Sequence, residues 1–195
     1  MCEIFCNRLA AVDRSGYNKI IGAMLRKRRV PMFCKLTPAE TTRMHQLLRG
    51  VADDPHAMEM QQFIQHGTVT TYEHCLRVAR IAYWLNLRLH CRAREASLLR
   101  GAFLHDFYLY DWHCCHNITR WHGFKHPLVA RYNAETVFQL NEAEKNIIQS
   151  HMWPLTITWL PRCREAVLVC LADKMSSAWE TVMERRAAQP VWRQE

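Results

Sequence analysis

Four amphipathic stretches of this chain each set an imidazole or a carboxylate into an otherwise apolar stripe. His74 shares a helical face with Val78, Ile81 and Leu85. His105 follows Leu98, Gly101 and Ala102, while Asp106 follows Leu99, Ala102 and Phe103. His151 follows Ile147 and Ile148, and Asp173 follows Ala166, Val169 and Cys170. Spacings of three, four and seven put each set on one side of a helix. A single inward histidine is usually a satisfied core residue. A buried carboxylate without a partner costs several kcal/mol, so Asp106 and Asp173 each demand one. If the helices pack together, these groups converge, and converging imidazole and carboxylate suit a divalent cation such as Fe, Mn, Co, Ni or Zn. His126 stands directly before Pro127, at the mouth of a further helix.

The rest of the chain repeats the helical signature. Thr37-Pro38-Ala39-Glu40 is a capping box with proline in the first turn, and it opens a helix to about Leu48, before Gly50. "PHAMEMQQFIQHG" predicts a second helix ending at Gly67. Thr70 and Glu73 form another capping box, opening a helix to about Leu89. A fourth covers roughly 93–106, and a polar, aromatic loop spans 107–125. Pro127 opens a fifth helix ending near Leu140, Asn141 and Glu144 cap a sixth, and the last runs over roughly 162–187. "VTTY" at 69–72 has some strand character but is too short to stand alone, and no strand-turn-strand pattern emerges. The expectation is an all-α fold, with an N-terminal basic helical extension over 1–67 and the main domain over 68–188.

Charge is uneven. Residues 1–50 hold 10 Lys and Arg against 3 acids, whereas residues 51–195 hold 16 against 15. The run "RKRR" at 26–29 concentrates this excess. It suits a solvated helix end, with contact to nucleic acid or anionic lipid as the alternative. Nine cysteines, an odd number at irregular spacing in a chain of 195 residues, fit reduced thiols. There is no run of 18 apolar residues and no signal-peptide pattern at the start, so the expected location is the cytoplasm.

The order His74 … His105-Asp106 … Asp173 resembles the HD-domain superfamily of metal-dependent phosphohydrolases, over about residues 68–185. "HPLVARYNA" at 126–134 and "IIQSHMWP" at 147–154 resemble the additional histidines of its binuclear branch. The resemblance implies that His74, His105, Asp106 and Asp173 hold one divalent metal. His126 and His151 would hold a second, with Asp106 bridging and His105 and Asp106 at the catalytic centre. It implies hydrolysis of a small phosphoester, a nucleotide or dinucleotide, by a metal-bound hydroxide, because paired metals about 3.5–4 Å apart can share a hydroxide and clamp a phosphoryl oxygen. The superfamily also contains mixed-valent di-iron oxygenases with a similar ligand set. A third reading is a nucleotide-sensing or nucleic-acid-binding module without turnover. Homo-oligomers are compatible with all three.

The resemblance departs at one position: many binuclear members carry lysine three residues after the dyad aspartate, where this chain has Leu109. Lys125 and Lys174, beside His126 and Asp173, are candidate substitutes at substrate phosphate, with solvated lysines as the alternative. Arg77, one turn from His74, is expected on the outer charged face with Arg80 and Arg88. In the 107–125 loop, His113, His116, His122, Cys114 and Cys115 lack the C-x-x-C spacing of a zinc site. A substrate lid fits better, with Tyr110, Trp112 and Trp121 stacking on a base and His113 touching phosphate. A loop packed over the core is the alternative.

Overall fold

Each helix that opens at a capping box does so through a reciprocal pair of hydrogen bonds. A computed structural model describes residues 34–111 and 122–187. In chain order these form α1 (Pro38–Leu48), α2 (Pro55–Met58), a 3₁₀ turn (Glu59–Gln62), β1 (Ile64–His66), β2 (Val69–Thr70), α3 (Thr71–Arg88), α4 (Glu95–Leu104), α5 (His122–Val137), α6 (Glu142–Ser150) and α7 (Arg164–Ala187). The basic run at 26–29, Trp112, His113 and Trp121 lie outside the described residues.

The backbone N–H of Glu40 donates to Thr37 Oγ1 at 3.2 Å, and Thr37 N–H donates back to Glu40 Oε2 at 2.8 Å. Thr70 with Glu73, and Asn141 with Glu144, repeat the arrangement at the starts of α3 and α6. Two orphan donors per helix end are thereby satisfied.

α3 is the central element, packing along α4 on one side and α7 on the other. α6 closes against α4 and α7, and α5 lies on α6. α4 and α6 approach closely at Gly101. A Cβ built on Gly101 would stand 2.6 Å from Cδ1 of Ile147 and 3.1 Å from its Cβ, so glycine is what lets these helices meet. The shared core includes Tyr72, whose ring meets Phe103 edge-on at 5.2 Å and whose hydroxyl donates to Ala52 O at 3.0 Å. Asn133 of α5 donates to the carbonyls of Phe107 and Tyr108 at 3.2 and 3.0 Å, tying α5 to the segment after α4. The five described cysteines are free thiols. Among the described residues no helix is long and apolar enough to cross a membrane.

Three expectations need correction. The helix expected over 55–67 lasts a single turn of α2 and a 3₁₀ turn. The chain then extends at Phe63, and β1 pairs antiparallel with β2 across Gly67, which sits at φ +52°. Phe63 and Ile64 are poorer helix formers than the residues before them, and the turn uses Gly67 for its left-handed φ rather than as a helix stop. α5 starts at His122, five residues before Pro127, which lies inside it. Proline there has no N–H to donate to the carbonyl of Gly123, four residues before it. Arg77 is buried, not on the outer face.

Candidate metal centre

His105 and His151 are placed by the same local device. Each sits one residue beyond the end of its helix, α4 or α6. His105 Nδ1 lies 2.7 Å from the carbonyl of Ala102, and His151 Nδ1 lies 2.8 Å from that of Ile148. A carbonyl only accepts, so each Nδ1 carries the proton and caps an unpaired carbonyl of the last turn. Each Nε2 is thereby turned inward. His74, in the first turns of α3, is oriented by another route. Its Nδ1 is 2.9 and 3.1 Å from the two oxygens of Glu180 on α7, which directs Nε2 to the interior.

These nitrogens meet two carboxylates. His74 Nε2 is 3.2 Å from Asp173 Oδ1 and 3.9 Å from Asp106 Oδ2. His105 Nε2 is 3.4 Å from Asp106 Oδ2 and 3.8 Å from Asp173 Oδ1. On the other side of Asp106, Oδ1 is 3.2 Å from His126 Nε2 and 3.4 Å from His151 Nε2, and those two nitrogens are 2.8 Å apart. All six residues are buried. Two overlapping groups, His74–His105–Asp173 and His105–Asp106–His151, each keep their ligand-type atoms within 4.8 Å of one another.

The electrostatics carry the same message. Burial opposes charge on both carboxylates, yet the imidazoles of His105, His126 and His151 hold Asp106 well below the usual carboxylate range. Those of His105 and His74 do the same for Asp173. Burial likewise works against a charged His74, but Glu180 and Asp173 outweigh it and lift the imidazole to about 10. Burial lowers His151 to about 3, keeping it neutral. His105 Nε2 and Asp106 Oδ1 are buried without a hydrogen-bond partner. A lone pair directed at carboxylate oxygens is repulsive unless a proton or cation stands between them. Neutral imidazole with carboxylate is a donor set for borderline and hard divalent metals. The residues present therefore fit a divalent metal.

The support behind His74 escaped the sequence reading. The Glu180 carboxylate also accepts from Arg77 and, at 2.8 Å, from Ser176, and the Arg77 guanidinium lies 5.0 Å over the Trp179 ring. His74, Arg77 and the α7 groups account for the inward turn of Arg77: a buried Glu180 needs its charge. The available signal was the place of Glu180, seven residues after Asp173 and four after Ser176, on one face of α7. Gln65 was missed as well. Its Nε2 donates to Asp106 Oδ2 at 2.8 Å.

Of the expected substrate groups, Lys125 is exposed on α5 next to His126. Lys174 Nζ donates to the carbonyls of His151 and Cys170, at 3.3 Å each. Leu109, standing where many binuclear members carry lysine, holds a left-handed φ of +53°.

The HD domain family model matches residues 71–178, more than half of the chain and the span that carries all six converging residues. The chain belongs to the HD-domain family, most of whose members are metal-dependent phosphohydrolases. No curated protein and no solved structure matches it significantly.

Proposed function

We propose that this chain is a binuclear metal-dependent phosphohydrolase cleaving a small phosphoester, a nucleotide or dinucleotide. One observation supports the reading above others: the two oxygens of Asp106 face different imidazole sets. Oδ2 faces His105 and His74, and Oδ1 faces His126 and His151. A carboxylate so placed suits a bridging ligand between two metals. His74, His105 and Asp173 would hold the first metal, with His126 and His151 holding the second. Bound divalent metals supply Lewis acidity at a phosphoryl oxygen and lower the pKa of water into the neutral range.

The chain's own residues have separate tasks. Asp106 fixes the spacing of the two halves of the site. The caps at Ala102 and Ile148 hold His105 and His151 in one tautomer, so that neither ring needs to turn when ligands arrive. The buried setting around these groups excludes competing water and strengthens each electrostatic contact. Lys125 and Lys174 are the cations nearest in sequence to the ligands, and with Trp112 and His113 they are the candidate contacts to substrate.

The test is phosphate release from a panel of nucleotides and dinucleotides, without oxygen, alongside metal content per chain. We expect about two metals in the wild type, falling towards one in His126→Ala. We expect Asp106→Ala to lose metal and turnover with its helical signal retained. Turnover in a metal-free Asp106→Ala protein overturns the proposal. Strict iron dependence with oxygen consumption and no phosphate release replaces it with the di-iron oxygenase reading.

A further inference from the structure

Gln65 lies on β1, ahead of the family match at 71–178, and is almost fully buried. Its amide has one orientation open to it. The Tyr108 hydroxyl donates to Gln65 Oε1, and the Thr71 hydroxyl stands 3.5 Å from the same oxygen. At the other end Nε2 donates to Asp106 Oδ2 at 2.8 Å. Reversing the amide would set Oε1 against a carboxylate oxygen, two acceptors with no proton between them. Asp106 therefore holds a charge-assisted hydrogen bond on Oδ2 and none on Oδ1.

We infer that Gln65 is a positioning residue that fixes the rotation of the Asp106 carboxylate, so that Oδ1 is presented, unshared, to the pair His126 and His151. The hairpin thus makes the segment before the family match a working part of the site. Tyr108 acts one step behind, as the lock on the amide. The inference rests on the binuclear reading, because only a second metal uses Oδ1 with both of those histidines.

The experiment is an oxygen-free titration of metal-stripped full-length chain with Co(II), followed by calorimetry and visible absorption. It compares wild type, Gln65→Leu and Tyr108→Phe, with circular dichroism reporting the fold. Wild type is expected to take two ions in two steps. Gln65→Leu should leave the first step within about threefold and weaken the second roughly 10–100-fold, as for loss of a group that orients a ligand. Its second-step absorption bands should change shape. Tyr108→Phe, which leaves Gln65 in place, should move the second step in the same direction by less. It carries the test if Gln65→Leu does not fold. An unchanged second step, or equal weakening of both steps in a folded variant, overturns the role given to Gln65. A wild type that takes fewer than two ions overturns the binuclear reading itself, and the inference with it.

Discussion

Glu180 and His74 are 106 positions apart in sequence and in contact through 2.9 Å. The consequence of that pair is a fixed imidazole. Glu180→Gln removes the charge that orients His74, and metal affinity should fall roughly 10–100-fold by calorimetric titration. The same change strips Arg77 of its buried counter-charge, which costs about 3–5 kcal/mol. A melting curve should therefore shift down even for metal-free protein. At this scale Asp106 and Asp173 were legible in the sequence, because a carboxylate on an apolar helical face has to be answered by something; the inward histidines of α3, α4 and α6 offered the answer, and His126 joined them only through the family resemblance. Their supports were not. Gln65 comes from a strand whose pairing cannot be read from its own residues. Arg77 looked like one of several arginines on α3, and only its contact with Glu180 across the α3–α7 interface turns it inward.

The meeting of α4 and α6 depends on a missing methyl group. Gly101 stands four residues before His105, and Ile147 four before His151, so what separates these helices also separates two ligands. Gly101→Ala gains about 1 kcal/mol of helix propensity. It also drives a Cβ into Ile147, whose Cγ2 and Cβ, at 3.0 and 3.1 Å, leave no rotation that relieves the clash. Overpacking of this kind costs about 1–3 kcal/mol. The expected net result is lower thermal stability together with weaker metal binding, read from a melting curve and a titration on one preparation. At the start of α1, the hydrogen bond from Arg88, followed by that from the Thr37 backbone, lowers Glu40 from an ordinary 4.5 to about 2. A depressed carboxylate adds stability above its unfolded pKa and loses it as pH falls to the folded one. Wild type and Glu40→Gln should therefore differ most above about pH 4.5 and converge towards pH 2 in acid unfolding. Helix starts were legible wherever a capping box marked them, at Thr37, Thr70 and Asn141. Pro127 misled because proline is commonest in a first turn, whereas here the preceding turn forms as well. The hairpin at 64–70 was hidden because its two strands hold three and two residues, too few for alternation to show.

Across the whole molecule, four segments distant in sequence send ligand-type groups to one buried point: α3, the turns that end α4 and α6, and α7, with α5 adding His126. The all-α architecture was legible in the succession of capping boxes and helical faces, and the HD-type centre in the resemblance carried by the order His74, His105-Asp106, Asp173. The position of β1 against Asp106 did not, since it depends on packing between a hairpin and a turn 41 residues away. The unpartnered Nε2 of His105 and the unshared oxygen of Asp106 have a consequence for the chain as a thermodynamic object. Cations that bind only the folded state stabilise it by mass action, by about 2.7 kcal/mol when free metal stands at 100 times its dissociation constant. For a chain of this size that is a rise of roughly 5–11 °C in melting temperature. Chelator should lower the melting temperature, and added metal should raise it with the logarithm of concentration. Resistance to heat and to proteases then becomes a gauge of metal supply, so that a cell short of the ion would hold less of the folded protein before any reaction slowed.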